Sequence, residues 1–225
     1  MNSLDYACDQ FAEVLLRWHA SNRRSFPWRE AHNPYGVLVA EVLLQRTPAE
    51  RVSAFYEDFL SKYPDPCSLA RANPAKLERE VAPLGLVKRV HWLRRTAKII
   101  CEEFGGRVPR DMKTLLRLPG VGEYTAAAIL SFGYQEDAAI VDVNVVRIVL
   151  RVFGLAVSDK NKTTRVVREF VEKLLPKGRG RAFNEALLDF AALVCKPRPL
   201  CEGCPLNRFC EWYKKNEKNN GSESN

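Results

Sequence analysis

Apolar residues along this chain recur every three or four positions, block after block, which is the period of helices. Leu4, Phe11, Leu15 and Trp18 mark an amphipathic helix over residues 4–20. The NPYG turn then opens a helix over Val37–Thr47, with Pro34 suited to a helix start. Pro48 stands at the junction with a second helix, Ala49–Lys62, carrying Val52, Phe55, Tyr56 and Phe59. Short helices follow at Asp65–Ala72 and Pro74–Ala82, each announced by a proline or an Asx cap. Val87–Phe104 has Val90, Leu93, Ala97, Ile100 and Cys101 on one side and Lys88, Arg89, Arg94, Arg95 and Lys98 on the other, up to a Gly105-Gly106 stop. Asp111–Arg117, a turn at Leu118–Gly122, a small-residue helix at Glu123–Phe132, then Asp142–Phe153, Lys162–Leu175 and Arg181–Val194 complete the set. No run alternates long enough to need a strand, and Ala138–Val141 is too short to count. The fold class expected is all-α. The polar tail from Lys214, KKNEKNNGSESN, is expected to be unstructured.

Composition narrows the function. Hydrophobic residues make up 46% of the 225, enough for a sizeable core without disulfide staples. Thirty-five Lys and Arg against 27 Asp and Glu leave a net charge of +8, which favours a polyanionic partner such as nucleic acid. The start, MNSLDYACDQ, lacks the basic cluster and apolar core of a signal peptide. The longest apolar stretches, around Tyr35–Leu44 and Ala126–Leu130, are too short to span a bilayer, so no membrane partner is expected. Seven cysteines are an odd number, and four fall within the last 31 residues. That distribution argues against a secreted disulfide framework and for a reducing, intracellular setting with a metal or cluster site.

Three groups of residues carry candidate chemistry. In Arg117-Leu-Pro-Gly-Val-Gly-Glu-Tyr124, Gly120 and Gly122 allow positive φ and close backbone approach, and the helix that follows can offer N–H groups to a phosphate. With Leu115, Leu116 and Leu118 before it and Thr125-Ala-Ala-Ala after it, this reads as a helix–hairpin–helix that grips DNA backbone without reading sequence. Cys195, Cys201, Cys204 and Cys210 form C-x5-C-x2-C-x5-C, with His19, His32 and His91 all distant in the chain. Four thiols with one C-x-x-C favour a [4Fe–4S] cluster, zinc being the alternative. Cys8, Cys67 and Cys101 fall on apolar helix faces and read as plain core residues. Asp142 precedes a helix, where an aspartate is by default an N-cap, yet it lies eighteen residues past Tyr124, within reach of what the hairpin holds. Glu41 sits inside an apolar helix, where a carboxylate is either paired or functional.

LPGVGEYTAAAILSFG, then VDVNVVRI, then the four cysteines, resembles the helix–hairpin–helix/Gly-Pro-Asp DNA glycosylases, the superfamily that includes endonuclease III. The likeness runs from about Phe26 to Trp212 and departs visibly only in the first cysteine gap, five residues instead of six. AEVLLQRT at Ala40–Thr47 resembles the adenine (MutY-type) and thymine mismatch (Mig-type) branches, which place a glutamate where Glu41 stands. Tyr124 stands where endonuclease III has its Schiff-base lysine, and a phenol cannot form an imine. The resemblance therefore implies a monofunctional enzyme that leaves an abasic site in double-stranded DNA. Pro83–Arg89 lacks the Gly-Tyr-Tyr of adenine glycosylases, Val143 replaces their Gly, and the sequence ends soon after Cys210 instead of continuing into a domain that recognises 8-oxoguanine. With Arg46 and the GGRVPR segment at Gly105–Arg110, these lean toward thymine or uracil opposite guanine.

The resemblance further implies the roles. Asp142 stabilises the transition state with Asn144 fixing its backbone, Glu41 handles the departing base, and Tyr124 lines the pocket. Gln45 fills the gap in the duplex, with Arg46 beside it. The implied architecture is two helical domains with a DNA groove between them. Residues 29–136 would hold the hairpin, 1–28 with 137–212 would form a discontinuous domain with the cluster, and 213–225 would be a tail. A monomer is the expected state. Two other readings stay open: an adenine glycosylase acting opposite 8-oxoguanine or guanine, and a non-catalytic Fe–S DNA-binding module.

Overall fold

The computed structural model describes residues 3–30, 33–85 and 87–221, and every regular element among them is helical. In chain order α1 spans Ser3–Asn22. Helices α2 to α9 span Pro27–Glu30, Pro34–Leu44, Ala49–Lys62, Pro66–Ala70, Pro74–Val81, Val87–Glu103, Met112–Leu115 and Glu123–Ala128. Helices α10 to α13 span Val143–Phe153, Thr163–Leu174, Gly180–Leu193 and Glu211–Gly221. The chain divides into two compact units, Ser25–Glu136 and a discontinuous one of Met1–Arg24 with Asp137–Asn225.

The continuous unit is built around α3. Tyr35 through Leu43 are all buried, so this helix is a core rod wrapped by α4, α7 and α9. Asn33 caps it through Tyr35 N at 3.0 Å, with Pro34 in the first turn. The helix thus begins three residues before the apolar pattern suggests. It ends at Leu44, because Thr47 precedes Pro48 and cannot stay helical. The continuation of α9 departs from the expected single α-helix: Ile129–Gly133 opens into a π turn. A side chain at Gly133 would sit 2.7 Å from Pro34 Cα, so glycine is what lets this turn lie against the start of α3.

The discontinuous unit packs α1, α10, α11 and α12 around Phe11, Leu15, Ile148, Val149, Val171 and Phe183, all fully or nearly fully buried. The Phe11 ring lies 5.2 Å from Phe153 and 6.2 Å from Phe183. The tail expected to be unstructured from Lys214 is instead helical as far as Gly221, while 222–225 lie outside the described residues. Local sequence propensity missed its anchor. Arg151 of α10 stacks over the Trp212 ring at 5.2 Å, and Lys214 pairs with Glu211 at 2.9 Å.

Cys67 and Cys101, expected as separate core thiols, form a disulfide that ties α5 to α7. The sequence places each on an apolar face but cannot show that the two faces meet; packing brings their Cα atoms to 5.0 Å. Because the bond closes a loop of 34 residues, Cys67→Ser/Cys101→Ser should lose about 2–4 kcal/mol of stability. Urea denaturation without reductant tests this, and a double variant with an unchanged midpoint would show the bond to be idle.

Candidate active site

The hairpin of the continuous unit follows from its residues. Val121 N donates to Leu118 O at 3.1 Å, with Pro119 and Gly120 between and Gly120 at φ +76°. That is the chemistry of a type II turn: proline first, then a residue needing positive φ. Thr96 of α7 donates its hydroxyl to Pro119 O at 2.5 Å and fixes the turn to the body of the unit. Gly122 starts α9 with extended backbone and no side-chain cap, so the first turn presents main chain to whatever approaches. Tyr124 occupies that first turn and is half-buried.

Glu41 lies on α3 with 8% of its surface exposed. At the C-terminal end of that helix the chain turns sharply. Gln45 caps it in a non-helical conformation and Arg46 is left-handed at φ +57°, an unusual setting for a residue with a Cβ. Arg89 of α7 donates to the Gln45 carbonyl, and both Gln45 and Arg46 are exposed. Sequence periodicity puts Gln45 and Arg46 inside a helix; the structure puts them on a turn held from outside by an arginine.

Asp142, in the discontinuous unit, is the N-cap of α10. Its Oδ1 accepts from Asn144 N at 2.9 Å and Val145 N at 2.8 Å, and its Oδ2 accepts from Asn144 Nδ2 at 2.6 Å. Asn144 Oδ1 in turn accepts from Arg147 Nη1 at 2.9 Å, and Arg147 Nε donates to Cys195 O at 2.9 Å. The segment leading to Asp142 has no neighbouring strand. Asn184 of α12 takes that place, donating to Ala138 O at 2.8 Å and accepting from Ile140 N at 3.2 Å. The carboxylate is therefore held by its own helix, on a segment fixed by α12, and the residue is half-buried.

The four C-terminal cysteines line one small cavity with Arg151, Leu206 and Trp212. Burial pushes the thiols of Cys201, Cys204 and Cys210 above the ordinary value, Cys204 to about 11, and the neighbouring cysteines add to the effect. Arg151 braces the loop by donating to Lys196 O at 2.6 Å and Pro197 O at 2.9 Å, with Cys195 Sγ at 3.6 Å. Among the described residues no three His, Cys, Asp or Glu side chains form a group that could hold a metal ion. The same residues contain no helix long and apolar enough to cross a membrane.

Residues 39–177 match the pattern of the HhH-GPD superfamily base excision DNA repair proteins. The chain is 37% identical over 207 residues to a thymine/uracil-DNA glycosylase of Methanothermobacter thermautotrophicus, covering 91% of this chain and 94% of that one. The chain belongs to the HhH-GPD superfamily. An adenine DNA glycosylase of Mycolicibacterium smegmatis is 38% identical over 201 residues, covering 88% of this chain and 68% of its own length. Among solved structures, a thermostable thymine-DNA glycosylase superposes with a TM-score of 0.90 at 36% identity, covering 95% of this chain and all of the other.

Within this superfamily member the candidate residues fall into two sets. Glu41, Gln45, Arg46, Gly120, Gly122 and Tyr124 belong to the continuous unit, and Asp142, Asn144 and the four cysteines to the discontinuous one. Sequence reasoning passed over Arg147 and Arg151. The signal was present: Asn144, Arg147 and Arg151 share a stripe of α10, a helix otherwise of valine, isoleucine, leucine and phenylalanine.

Proposed function

We propose that this protein is a monofunctional DNA glycosylase that hydrolyses the N-glycosidic bond of thymine or uracil mispaired with guanine, acting as a monomer and leaving an abasic site. The observation that carries the reading is the half-buried Asp142 carboxylate, fixed by three donors. As the bond between C1′ and the base breaks, positive charge develops on the sugar, and a carboxylate that cannot turn away stabilises it without reorganising. Water then supplies the hydroxyl at C1′, and its proton balances the departing base. Glu41 meets that base by hydrogen bond or proton. Tyr124 supports a purely hydrolytic outcome, since no amine stands at that position to form an imine. A mispaired base is also cheaper to unstack than a good pair. The turn at Gly120 and Gly122 would hold phosphates, with Gln45 and Arg46 at the duplex.

Cys195, Cys201, Cys204 and Cys210 would hold a [4Fe–4S] cluster. Their shared cavity and their all-thiol donor set support this. When bound, the cluster supplies a cross-link for the loop and takes no part in hydrolysis.

The test is single-turnover base release from end-labelled duplexes containing G·T, G·U, G·A, 8-oxoguanine·A or thymine glycol·A, with and without alkali. The expected result is alkali-dependent cutting at T or U opposite G. Cutting only at A would transfer the protein to the adenine branch. Strand scission without alkali would overturn the monofunctional assignment. Mismatch binding with no base release would leave a non-catalytic module.

A further inference from the structure

A cavity of about 250 Å³ opens between the end of α3, α7 and the hairpin turn. Its walls include Val42 and Leu93, with Gly120 at one edge and Gln45, Arg89 and Trp92 at its polar and aromatic boundary. Asp142, Glu41 and Tyr124 are absent from its lining, so it is not the place assigned above to bond breaking. The volume lies just under the range for drug-sized ligands, which leaves room for one flat ring system and not for a whole nucleotide.

Three observations say what kind of ring. Trp92 is 51% exposed, and Lys88 and Arg95 flank it on the same stripe of α7, both exposed. An aromatic face between cations is how proteins take an unstacked base while tracking its phosphates. The phosphate-gripping turn also rides directly on this tryptophan, since a Cβ at Gly120 would lie 3.3 Å from Trp92 Cβ. Arg89 is the third. One of its N–H groups donates to the Gln45 carbonyl, and the rest of its five-donor fork remains for a ligand edge with two acceptors. Thr96 also lines the cavity, but its hydroxyl is committed to Pro119 O.

We propose that this cavity is a nucleobase pocket for the guanine opposite the target, with Trp92 stacking on the ring and Arg89 reading its O6 and N7. The inference rests on the glycosylase reading above and deepens it by naming where the opposite base is recognised. Guanine is the base whose two adjacent acceptors match an arginine fork. It also loses its partner when the target leaves the stack, at the turn that carries Gln45. The target pyrimidine is the poorer occupant, because the carboxylates needed for its release do not line the cavity.

The test uses the full chain and G·U duplexes in which the guanine is replaced by 7-deazaguanine, which lacks N7, or by a fluorescent guanine analogue. Wild-type protein should release uracil opposite 7-deazaguanine roughly tenfold more slowly than opposite guanine. Arg89→Met should abolish that difference. Trp92→Ala should lose the emission change of the opposite-base analogue on binding, and Trp92→Phe should restore it. A wild-type rate indifferent to 7-deazaguanine overturns the proposal without any variant. So does an emission change that follows an analogue at the target position, or one that survives in Trp92→Ala. Failure of the glycosylase reading looks different: no base release from natural G·U or G·T by wild-type protein.

Discussion

Asp142→Asn should slow single-turnover base release by two decades or more while mismatch binding and folding survive. The substitution removes the charge and keeps the shape. Asparagine is as good an N-cap as aspartate, so Asn144 N and Val145 N retain an acceptor and α10 keeps its start. The second oxygen becomes an amide facing Asn144 Nδ2, a donor against a donor. Asn144 can relieve that conflict only by giving up its bond from Arg147. Stability should therefore fall by about 1 kcal/mol and no further. If Asp142 were a cap and nothing else, Asp142→Asn would be nearly silent in rate as well. Rate and melting measured on the same preparation separate the two roles, and near-normal turnover would remove Asp142 from the chemistry.

Helical period alone made most elements legible, and the places where it erred have physical causes. The span Ala49–Lys62 is the same in pattern and structure because one apolar face and a flanking proline leave no other solution. The start of α3 was displaced because a helix buried on all sides has no polar face to mark its phase, leaving only Asn33 and Pro34 as signals. The π turn at Ile129–Gly133 depends on Pro34, nearly a hundred residues earlier, and no local window contains it. The same holds for the disulfide: each cysteine looked like core, and only the packing of α5 on α7 makes them a pair. Of the candidate site, residue types were legible and their supports were not. Asp142 could be named from its place before a helix, but Asn184 and Arg147, which fix its direction, work through contacts 40 or more residues apart, as in Asn184 with Ile140 and Arg147 with Cys195.

The second large effect is on stability. Asp189→Ala should cost about 3–5 kcal/mol, the range for breaking a buried, hydrogen-bonded ion pair from one side. Asp189 has no exposed side-chain surface. Its Oδ2 meets His19 Nε2 and Arg24 N, each at 3.0 Å, and its Oδ1 accepts from Arg24 Nε at 2.6 Å. One carboxylate on α12 thus holds the end of α1 and the residues just after it. One turn earlier on the same helix, Glu185 pairs with Arg23 at 3.0 Å and Arg181 at 3.2 Å, so α12 carries two buried acids for one seam. Alanine at 189 removes the acceptor and leaves buried donors behind, which is where most of the cost arises. Asp189→Asn should cost less, because one oxygen of the right size remains. A guanidinium titration of wild type, Asp189→Asn and Asp189→Ala should place them in that order. If Asp189→Ala unfolded at the wild-type midpoint, the seam would be held by apolar packing alone. The consequence reaches the candidate site, because the Asn184 side chain and the Ala191 carbonyl, which accepts from Arg147 at 3.4 Å, belong to this helix. A loosened α12 should therefore lower the rate of base release before the whole unit unfolds, and following both signals along the same titration would show it.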